Sequence, residues 1–250
     1  MPAEQKSLLI TGAGHGIGRA TALLAASRGW TVGVNDLKDD FAAEVVAEIR
    51  AAGGQAFAVV QNVGTREGIG AAIDTVMQET GRLDGLVNNA AWVRYQAIPD
   101  IAPETVDRML NVGFTGIIWA IQAAAAVMDA ERGGAIVNVA SAAGFRSAPN
   151  SLVYSAIKSG VMGMTRAAAV ELGPKGIRVN AVAPSAIPTE GTAKHRNAER
   201  DAKRIAQTPL GRLGTVEDIA RAIGYLLGED SGFVTGQVLS TDGGIGIAIT

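Results

Sequence analysis

SLLITGAGHGIG, residues 7–18, is an apolar run that leads directly into a glycine-rich turn. The run suits one buried strand, and an alanine-rich helical pattern begins within the turn at about residue 16. The common dinucleotide-binding spacing is G-x-G-x-x-G, whose last position falls here on Ile17. The glycines that share a frame are instead Gly12, Gly16 and Gly18, in the spacing G-x-x-x-G-x-G. A strand–turn–helix unit with such glycines predicts a phosphate-binding turn, although a purely structural turn also fits these residues.

The same alternation of short β-branched runs and longer helical patterns continues through the chain. Most of the strand candidates are almost continuously apolar, as expected for strands covered on both faces, and the alternation is typical of a parallel α/β sheet. Neither a linker-like segment nor a repeat interrupts it, so we predict a single domain over residues 1–250. The strand candidates are 7–11, 31–35, 56–61, 85–89, 135–141, 177–183 and 237–241; the helix candidates are 16–28, 40–52, 66–80, 104–130, 154–173 and 216–228.

Composition excludes several classes of function. The net charge of −2 provides no basic surface for nucleic acid or anionic lipid. The chain has no cysteine and only two histidines, His15 and His195, so we predict no metal site and no cysteine nucleophile. The N-terminal segment has too few apolar residues for a signal peptide, and the longest apolar stretch, 116–128, is interrupted by Gln122 and short for a membrane span. We therefore expect a soluble, cytoplasmic protein.

An acidic residue follows the second strand candidate, where dinucleotide enzymes bind the adenosine ribose. The segment TVGVND ends in Asp36, whose carboxylate would accept hydrogen bonds from ribose hydroxyls and repel a 2′-phosphate. This favours NAD over NADP as the cofactor. Nearby Lys38 and Arg19 would weaken the preference, and an aspartate at a strand end is also a common turn residue.

The segment YSAIK places Tyr154 and Lys158 four residues apart, on one face of a predicted helix. Oxidation of an alcohol by hydride transfer requires removal of the hydroxyl proton, for which a phenol of pKa about 10 is a poor base. A lysine ammonium about 4 Å away would stabilise the phenolate by about 4 kcal/mol at an effective dielectric constant of about 20. This corresponds to roughly three pKa units, so we predict that Lys158 brings the pKa of Tyr154 near neutrality. Such a pair also occurs often by chance on helices.

A serine lies at the carboxyl end of the strand candidate that precedes this helix. Open α/β sheets bind ligands at that edge, and the hydroxyl of Ser141 in NVAS can donate to a substrate oxygen as negative charge develops there. A serine-hydrolase role is disfavoured, because the chain has no G-x-S-x-G elbow and neither histidine lies in a triad-like context.

Together TGAGHGIG, NNAA, LNVGF, the serine of NVAS and YSAIK resemble the motifs of the short-chain dehydrogenase/reductase family. The resemblance spans essentially the whole chain, through LGPKGIRVNAVAP to STDGG. It implies a Rossmann-like, doubly wound sheet of seven parallel strands flanked by helices. It also implies NAD(P)-dependent interconversion of a secondary alcohol and a ketone, usually in a homotetramer, and identifies G-x-x-x-G-x-G as this family's own phosphate turn.

The resemblance implies roles for individual residues. Tyr154 would transfer the proton, Ser141 would orient the substrate oxygen, and Lys158 would bind the nicotinamide ribose and lower the pKa of Tyr154. Asn111, in LNVGF, would hold a water that relays protons from Lys158 to solvent. The expected cofactor contacts are Gly12, His15, Gly16, Ile17, Gly18, Asp36, Asn62, Val63, Asn89, Ala90, Tyr154, Lys158, Pro184, Ile187 and Thr189, with a plain turn residue as the alternative for His15.

Three positions depart from the family's pattern. Ala91 replaces the glycine of Asn-Asn-Ala-Gly, and Asn62 replaces the aspartate of Asp-Val after the third strand. The side-chain carbonyl of Asn62 can still accept a hydrogen bond from an adenine amino group. Ser185 replaces the glycine of Pro-Gly, which restricts the backbone and adds a hydroxyl at the expected nicotinamide pocket.

We expect a substrate-binding loop at about 185–209, which contains His195 and the charged cluster KHRNAERDAKR. A solvated helix is the alternative for that cluster. Candidate pocket residues are Trp92, Ala143, Phe145 and Ser185, although core packing explains aromatic residues at least as well. Two other functions stay open: a 3-oxoacyl carrier-protein reductase, which would prefer NADPH and need a basic patch, and a non-catalytic NAD(P)-sensing protein. An enoyl reductase is disfavoured, because that group spaces its tyrosine and lysine more widely.

Overall fold

Seven parallel strands form one sheet in the computed structural model, which describes residues 5–190 and 197–248. Their order across the sheet is β3-β2-β1-β4-β5-β6-β7, so the chain starts near the middle and winds toward each edge in turn. The predicted doubly wound, Rossmann-like arrangement is confirmed. The strands are β1 Ser7–Ile10, β2 Thr31–Asp36, β3 Gln55–Val60, β4 Gly85–Asn88, β5 Gly134–Val139, β6 Ile177–Pro184 and β7 Val238–Thr241.

Helices cover both faces of this sheet and bury an apolar core on each. One core joins α1, α2 and α8 to the strands, and the other joins α3, α5 and the end of α6. A third, smaller cluster, which includes Met109, Ile157 and Val161, lies beneath Tyr154. The helices are α1 Gly16–Ser27, α2 Asp39–Ala51, α3 Arg66–Thr80, α4 Pro103–Leu110, α5 Gly116–Val127, α6 Leu152–Leu172, α7 Ala198–Gln207 and α8 Val216–Leu227.

The strand order creates a crevice at the carboxyl end of β1. The chain leaves β1 toward β2 on one side, whereas β4 pairs with β1 on the other side. The loops that follow these strands therefore diverge, which is where open α/β sheets bind ligands. The glycine-rich turn, Asp36 and the NNAA segment all follow strands that meet at this edge.

The region predicted as one regular helix over 104–130 is divided. α4 ends at Leu110, a π-helical segment covers Asn111–Thr115, and α5 continues from Gly116. Gly116 approaches the loop after β3 so closely that a Cβ atom there would lie 2.5 Å from the carbonyl oxygen of Val63. The wider turn accommodates this approach, and such π segments recur at functional sites.

The π segment joins α4 and α5 into one long helix. Of the described helices, Pro103–Val127 is the one long and apolar enough to cross a membrane, by length and composition alone. The apolar stretch 116–128 is by itself too short for a span, as predicted, and the helix reaches that length only when α4 is included. Ile117, Ala120 and Ala124 on this helix are buried in the apolar clusters, the environment of a core helix.

The segment predicted as a loop at 185–209 contains α7, as the solvated-helix alternative predicts. Asn197 caps α7 by accepting a hydrogen bond from the backbone N–H of Arg200 at 3.0 Å, and no residue of the helix is buried. Residues 191–196, which include His195, lie outside the described residues.

Candidate active site

The crevice is a cleft of about 650 Å³ that opens between the glycine-rich turn and α4. Gly12 and Gly16 hold positive φ angles of 62° and 57° in this turn, a conformation that L side chains rarely adopt. α1 begins at Gly16, so its first N–H groups and the positive end of its dipole face the cleft. The predicted cofactor contacts that line the cleft are Gly12, His15, Gly16, Ile17, Asp36, Asn62, Val63, Asn89, Ala90 and Thr189.

Hydrogen bonds of Asn89 and Thr11 join the glycine-rich turn to the loop after β4. The side chain of Asn89 donates to the backbone oxygens of Thr11 at 3.0 Å and Gly12 at 2.8 Å. The Thr11 hydroxyl accepts from the backbone N–H groups of Asn89 and Ala90, both at 3.0 Å. The amide of Asn89 thus shapes the phosphate turn as well as lining the cleft. Gly18 lies behind the turn, against Asn89 and Gly12, and lets α1 approach closely.

The carboxylate of Asp36 lies in the cleft and also stabilises the glycine-rich turn. Asp36 ends β2 and lines the cleft where a ribose would lie. It also accepts hydrogen bonds from the backbone N–H groups of Gly14 at 3.2 Å and Lys38 at 3.1 Å. These bonds leave lone pairs on both oxygens, since each carboxylate oxygen can accept two bonds. The residue that would recognise the ribose therefore also stabilises the turn.

The segment after β6 crosses the start of α1. Oε2 of Glu190 accepts a hydrogen bond from the backbone N–H of Gly16 at 3.2 Å, and the methyl group of Thr189 packs beside Gly16. Ile187 packs against the core of α1, α2 and α8, and the hydroxyl of Ser185 donates to the backbone oxygen of Asp242 at 3.4 Å. Ser185 is thus engaged with the loop after β7.

Ser141, Tyr154 and Lys158 come together beyond the end of β5. Ser141 lies two residues past the strand, where its hydroxyl accepts from the N–H of Ala143 at 3.1 Å and is close enough to the Tyr154 hydroxyl to lower its pKa. Tyr154 and Lys158 lie one turn apart near the start of α6, and Nζ of Lys158 is 5.8 Å from the centre of the Tyr154 ring. Nζ also donates to the backbone oxygen of Val139 at 2.6 Å.

The predicted acidity of Tyr154 is wrong for this structure. Burial raises the pKa of Tyr154 to about 12, against the opposing effect of its hydrogen bond with Ser141. Burial also lowers the pKa of Lys158 to about 8. The electrostatic argument assumed an ammonium about 4 Å from an accessible phenol. Instead the amine of Lys158 is directed to Val139, and the loss of hydration outweighs attraction at the phenol.

Burial of Lys158 makes the stability of the fold depend on pH. Its pKa is about 8 when folded and 10.5 when unfolded, so the unfolded chain binds more protons between these values. The contribution of Lys158 to the free energy of unfolding therefore rises as the pH increases through this window. This gain in stability is lost as the pH falls back to about 8. We expect the free energy of unfolding of the wild type to rise by up to about 3 kcal/mol across this window, at about 1.4 kcal/mol per pKa unit. Lys158→Met should remove this rise.

Denaturant unfolding between about pH 8 and pH 10 measures this rise, below the range in which Tyr154 titrates with the opposite sign. Lys175→Met is the control, since Lys175 is exposed in the turn before β6 and should keep the wild-type slope. Equal slopes for the wild type and Lys158→Met would contradict the burial of a charged amine.

The structure places Asn111 on the dinucleotide side of the site. Asn111 is exposed and lines the cleft, and its backbone lies next to Gly64. Among the described residues, no hydrogen bond joins the Asn111 side chain to Lys158. Two residues of the π segment face α6: the buried Gly113, where an added Cβ would lie 3.4 Å from Ile157, and Phe114, whose ring lies against Gly160. A relay through Asn111 thus stays a prediction that these contacts do not support.

The predicted pocket residues do not all face one space. Trp92 lines the cleft, stacks under the guanidinium of Arg108 at 4.4 Å, and packs on the apolar cluster that also contains Tyr154. Ala143 lies in the short turn after Ser141, whereas Phe145 is 61% exposed at the rim of that turn. Pro184 is buried at the end of β6. Trp92 and Ala143 are therefore close to the catalytic groups, and Phe145 contributes at most to the entrance.

Comparison with known proteins identifies the family of this chain. The sequence model described as "Enoyl-(Acyl carrier protein) reductase" matches residues 12–246. The 3-oxoacyl-[acyl-carrier-protein] reductase FabG of Thermotoga maritima is 40% identical over 245 residues, which cover 98% of this chain and 99% of that protein. The chain belongs to the short-chain dehydrogenase/reductase family. This short-chain dehydrogenase/reductase is accordingly an NAD(P)-dependent oxidoreductase.

Two solved structures show how closely this dehydrogenase/reductase follows the family fold. A short-chain type dehydrogenase/reductase from Mycobacterium ulcerans matches with a TM-score of 0.93 and 30% identity, covering 98% of this chain and 90% of that one. A 7α-hydroxysteroid dehydrogenase complexed with NADH and 7-oxo glycochenodeoxycholic acid matches with a TM-score of 0.92 and 34% identity, covering 96% and 93%.

Glu190 and Arg204 were not predicted from the sequence as site residues, whereas Tyr95, like Trp92, is a candidate to line an apolar pocket near the cleft. Glu190 contacts the start of α1 only because the chain after β6 folds back over it, which propensities do not indicate. Arg204 was recognised only as part of a charged cluster. Its spacing of four from Arg200 is a signal that both side chains lie on one face of α7.

Proposed function

We propose that this enzyme interconverts a secondary alcohol and a ketone, using NAD(H), with Ser141, Tyr154 and Lys158 as its catalytic residues. The observation that carries the proposal is the placement of Ser141 beside the Tyr154 hydroxyl, one helical turn from the buried Lys158. Trp92, which packs on the same apolar cluster as Tyr154, lines the glycine-turn cleft. The cleft fits a dinucleotide, because the start of α1 faces it and the carboxylate of Asp36 lies beside the glycine-rich turn, where a ribose would bind. The nicotinamide would supply or accept the hydride.

The residues of the chain would act on the oxygen atom. The Ser141 hydroxyl would donate to the carbonyl oxygen and hold it against Tyr154. With a pKa of about 12, Tyr154 keeps its proton at neutral pH and can give it to that oxygen during reduction. Lys158, held by the Val139 carbonyl, would bind a ribose hydroxyl and bring positive charge near the phenolate that forms.

The experiment compares the wild type with Tyr154→Phe on diverse secondary alcohols and ketones, supplied with both nicotinamide cofactors. Turnover by the wild type and its loss in the variant would support the proposal. An inactive wild type across the whole set, with intact NADH binding, would contradict it.

We further propose that NAD is the preferred cofactor, because the Asp36 carboxylate would repel a 2′-phosphate. Asp36→Asn should lower the ratio of kcat/KM for NAD to that for NADP by about tenfold or more, since it removes this repulsion. Asn keeps one oxygen that can accept from a backbone N–H, so the turn should survive. Steady-state kinetics with both cofactors measures the ratio.

Asp39→Asn is the matched control for this change. Asp39 is exposed at the start of α2, three residues beyond Asp36, and its substitution should leave the ratio unaltered. A wild type that prefers NADP, or a ratio unchanged in Asp36→Asn, would contradict the role of the carboxylate.

A second candidate function is a 3-oxoacyl carrier-protein reductase. The 40% identity to FabG of Thermotoga maritima over 98% of the chain favours it. Asp36 opposes the NADPH preference expected for that activity. Reduction of an acetoacetyl thioester with NADPH in preference to NADH would favour this alternative over the NAD-dependent one.

We also propose a homotetramer. Apolar side chains that the fold leaves exposed include Ile118 on α5 and Val170 on α6, the latter 81% exposed. Alanine-rich helices of this kind allow close packing between subunits. Sedimentation velocity should give the mass of four chains, and a monomer at micromolar concentration would contradict the proposal.

A further inference from the structure

The start of α1 is bound by a carboxylate from a distant part of the chain. Oε2 of Glu190 accepts a hydrogen bond from the backbone N–H of Gly16 at 3.2 Å, although the two residues are 174 positions apart. A Cβ atom added at Gly16 would lie 3.3 Å from the methyl group of Thr189 and 4.0 Å from the same carboxylate oxygen. Two consecutive residues of the segment after β6 therefore lie against the first residue of the helix.

The helix α1 has no capping group of its own. Within the described residues, the side chain of its N-cap residue, His15, makes no capping hydrogen bond, and the first turn contains no acidic residue. By contrast, α3, α7 and α8 are capped by the side chains of Thr65, Asn197 and Thr215. The first N–H groups of a helix have no partner within the helix and attract negative charge. In α1 these donors remain for a group from outside the helix, and Glu190 binds one of them.

The segment that carries Glu190 is anchored close to this contact. Ile187 packs against the apolar core of α1, α2 and α8, and its side chain also lies against Gly214, just before α8. Glu190 is three residues beyond this anchor and is exposed. Its carboxylate can therefore leave Gly16 without any loss of packing in the core.

A carboxylate at this position competes with a diphosphate for the same donor. The N–H of Gly16 is one of the helix N–H groups that face the cleft, and like charges brought close to it repel each other. A site that is blocked in part of the molecules binds its ligand with an affinity reduced by the fraction that is free. If Glu190 held Gly16 in about nine-tenths of the molecules, the apparent dissociation constant would rise about tenfold.

We propose that Glu190 is an internal competitor for the diphosphate of the cofactor. Its carboxylate binds the Gly16 N–H in the free enzyme and is displaced when the dinucleotide enters the cleft. This inference rests on the proposed dinucleotide site. Glu190 thereby weakens cofactor binding, and its return to Gly16 favours release of the used cofactor.

The experiment compares the wild type with Glu190→Gln. Glutamine has nearly the shape of glutamate but no charge, so its hydrogen bond with Gly16 should be roughly half as strong and should not repel a phosphate. The dissociation constants for NADH, from fluorescence titration, and for ADP-ribose, from calorimetry, should both fall about fivefold or more. ADP-ribose has the diphosphate but no nicotinamide, so its tighter binding would locate the effect at the diphosphate.

Glu79→Gln is the matched control. Glu79 is exposed near the end of α3, which leads into the amino end of β4 and so lies away from the cleft. Its substitution removes the same charge and should leave both dissociation constants unaltered. Thermal unfolding separates competition from a structural role. Without ligand, the Tm of Glu190→Gln should equal or lie below that of the wild type, whereas NADH should raise the Tm of the variant by more.

The possible failures differ in what they contradict. Unchanged or weaker NADH binding in Glu190→Gln, when the wild type binds NADH, overturns the competition and leaves the proposed function intact. Equal tightening in Glu79→Gln also overturns it, because that result would reflect net charge alone. A wild type that binds neither NADH nor NADPH contradicts the proposed dinucleotide site itself.

Discussion

Tyr154→Phe should reduce kcat by about a thousandfold while leaving the dissociation constant for NADH within about twofold of the wild type. The variant removes the hydroxyl that lies beside Ser141 but keeps the ring that packs against Tyr95. If Tyr154 transfers the proton as proposed, the variant has no group in its place that can donate it. Fluorescence titration of NADH and single-turnover kinetics separate binding from chemistry.

Tyr225→Phe provides the control for the loss of a tyrosine hydroxyl. Tyr225 is partly exposed on α8, far along the chain from the catalytic serine and tyrosine, and its variant should have normal kinetics. If Tyr154→Phe kept near-normal kcat, the catalytic assignment would be untenable. A large loss of NADH affinity would instead show that the hydroxyl acts mainly in cofactor binding.

Gly18→Ala should destabilise the fold and abolish measurable NADH binding at micromolar concentrations. A Cβ atom at Gly18 would lie 2.6 Å from Nδ2 of Asn89 and 2.9 Å from Cα of Ala13, and would overlap the backbone oxygen of Gly12. Backbone cannot yield as a flexible side chain can, so overpacking here should cost about 2–3 kcal/mol or more. The phosphate turn and the Asn89 bonds that shape it would both be displaced.

Gly70→Ala is the matched control. Gly70 lies in α3 with no atom within 4 Å of an added Cβ, so alanine should be neutral or stabilise the helix by up to about 1 kcal/mol. Thermal unfolding should show a Tm lower by about 5–10 °C for Gly18→Ala and no decrease for Gly70→Ala. An unchanged Tm and NADH affinity in Gly18→Ala would show that α1 does not approach the turn as described.

The sheet and the approach of Ser141 to Tyr154 were predictable from the sequence for one physical reason. Buried parallel strands need long apolar runs, and their carboxyl ends share one edge, so residues that follow strands meet. Ser141 follows β5, and Tyr154 opens the next helix. These placements depend on local periodicity and chain order alone.

The properties that were not predictable depend on tertiary packing. The amine of Lys158 could be directed either to the Tyr154 phenol or to the Val139 carbonyl. Tertiary packing determines that it is directed to Val139. The π segment at Asn111–Thr115 changes which residues face α6, so Asn111 cannot be placed by counting helical turns.

Because Asp36 both stabilises the glycine-rich turn and lies in the cleft, the stability of the turn and the coenzyme preference depend on the same residue. One carboxylate both supports the Gly14 amide and presents negative charge to a ribose. A substitution of Asp36 that lets a 2′-phosphorylated nucleotide bind would also remove a hydrogen bond that stabilises the glycine-rich turn. A change of coenzyme through a residue at position 36 that has no side-chain oxygen would therefore require a second, compensating substitution near Gly14, and without it the enzyme should bind both coenzymes less tightly.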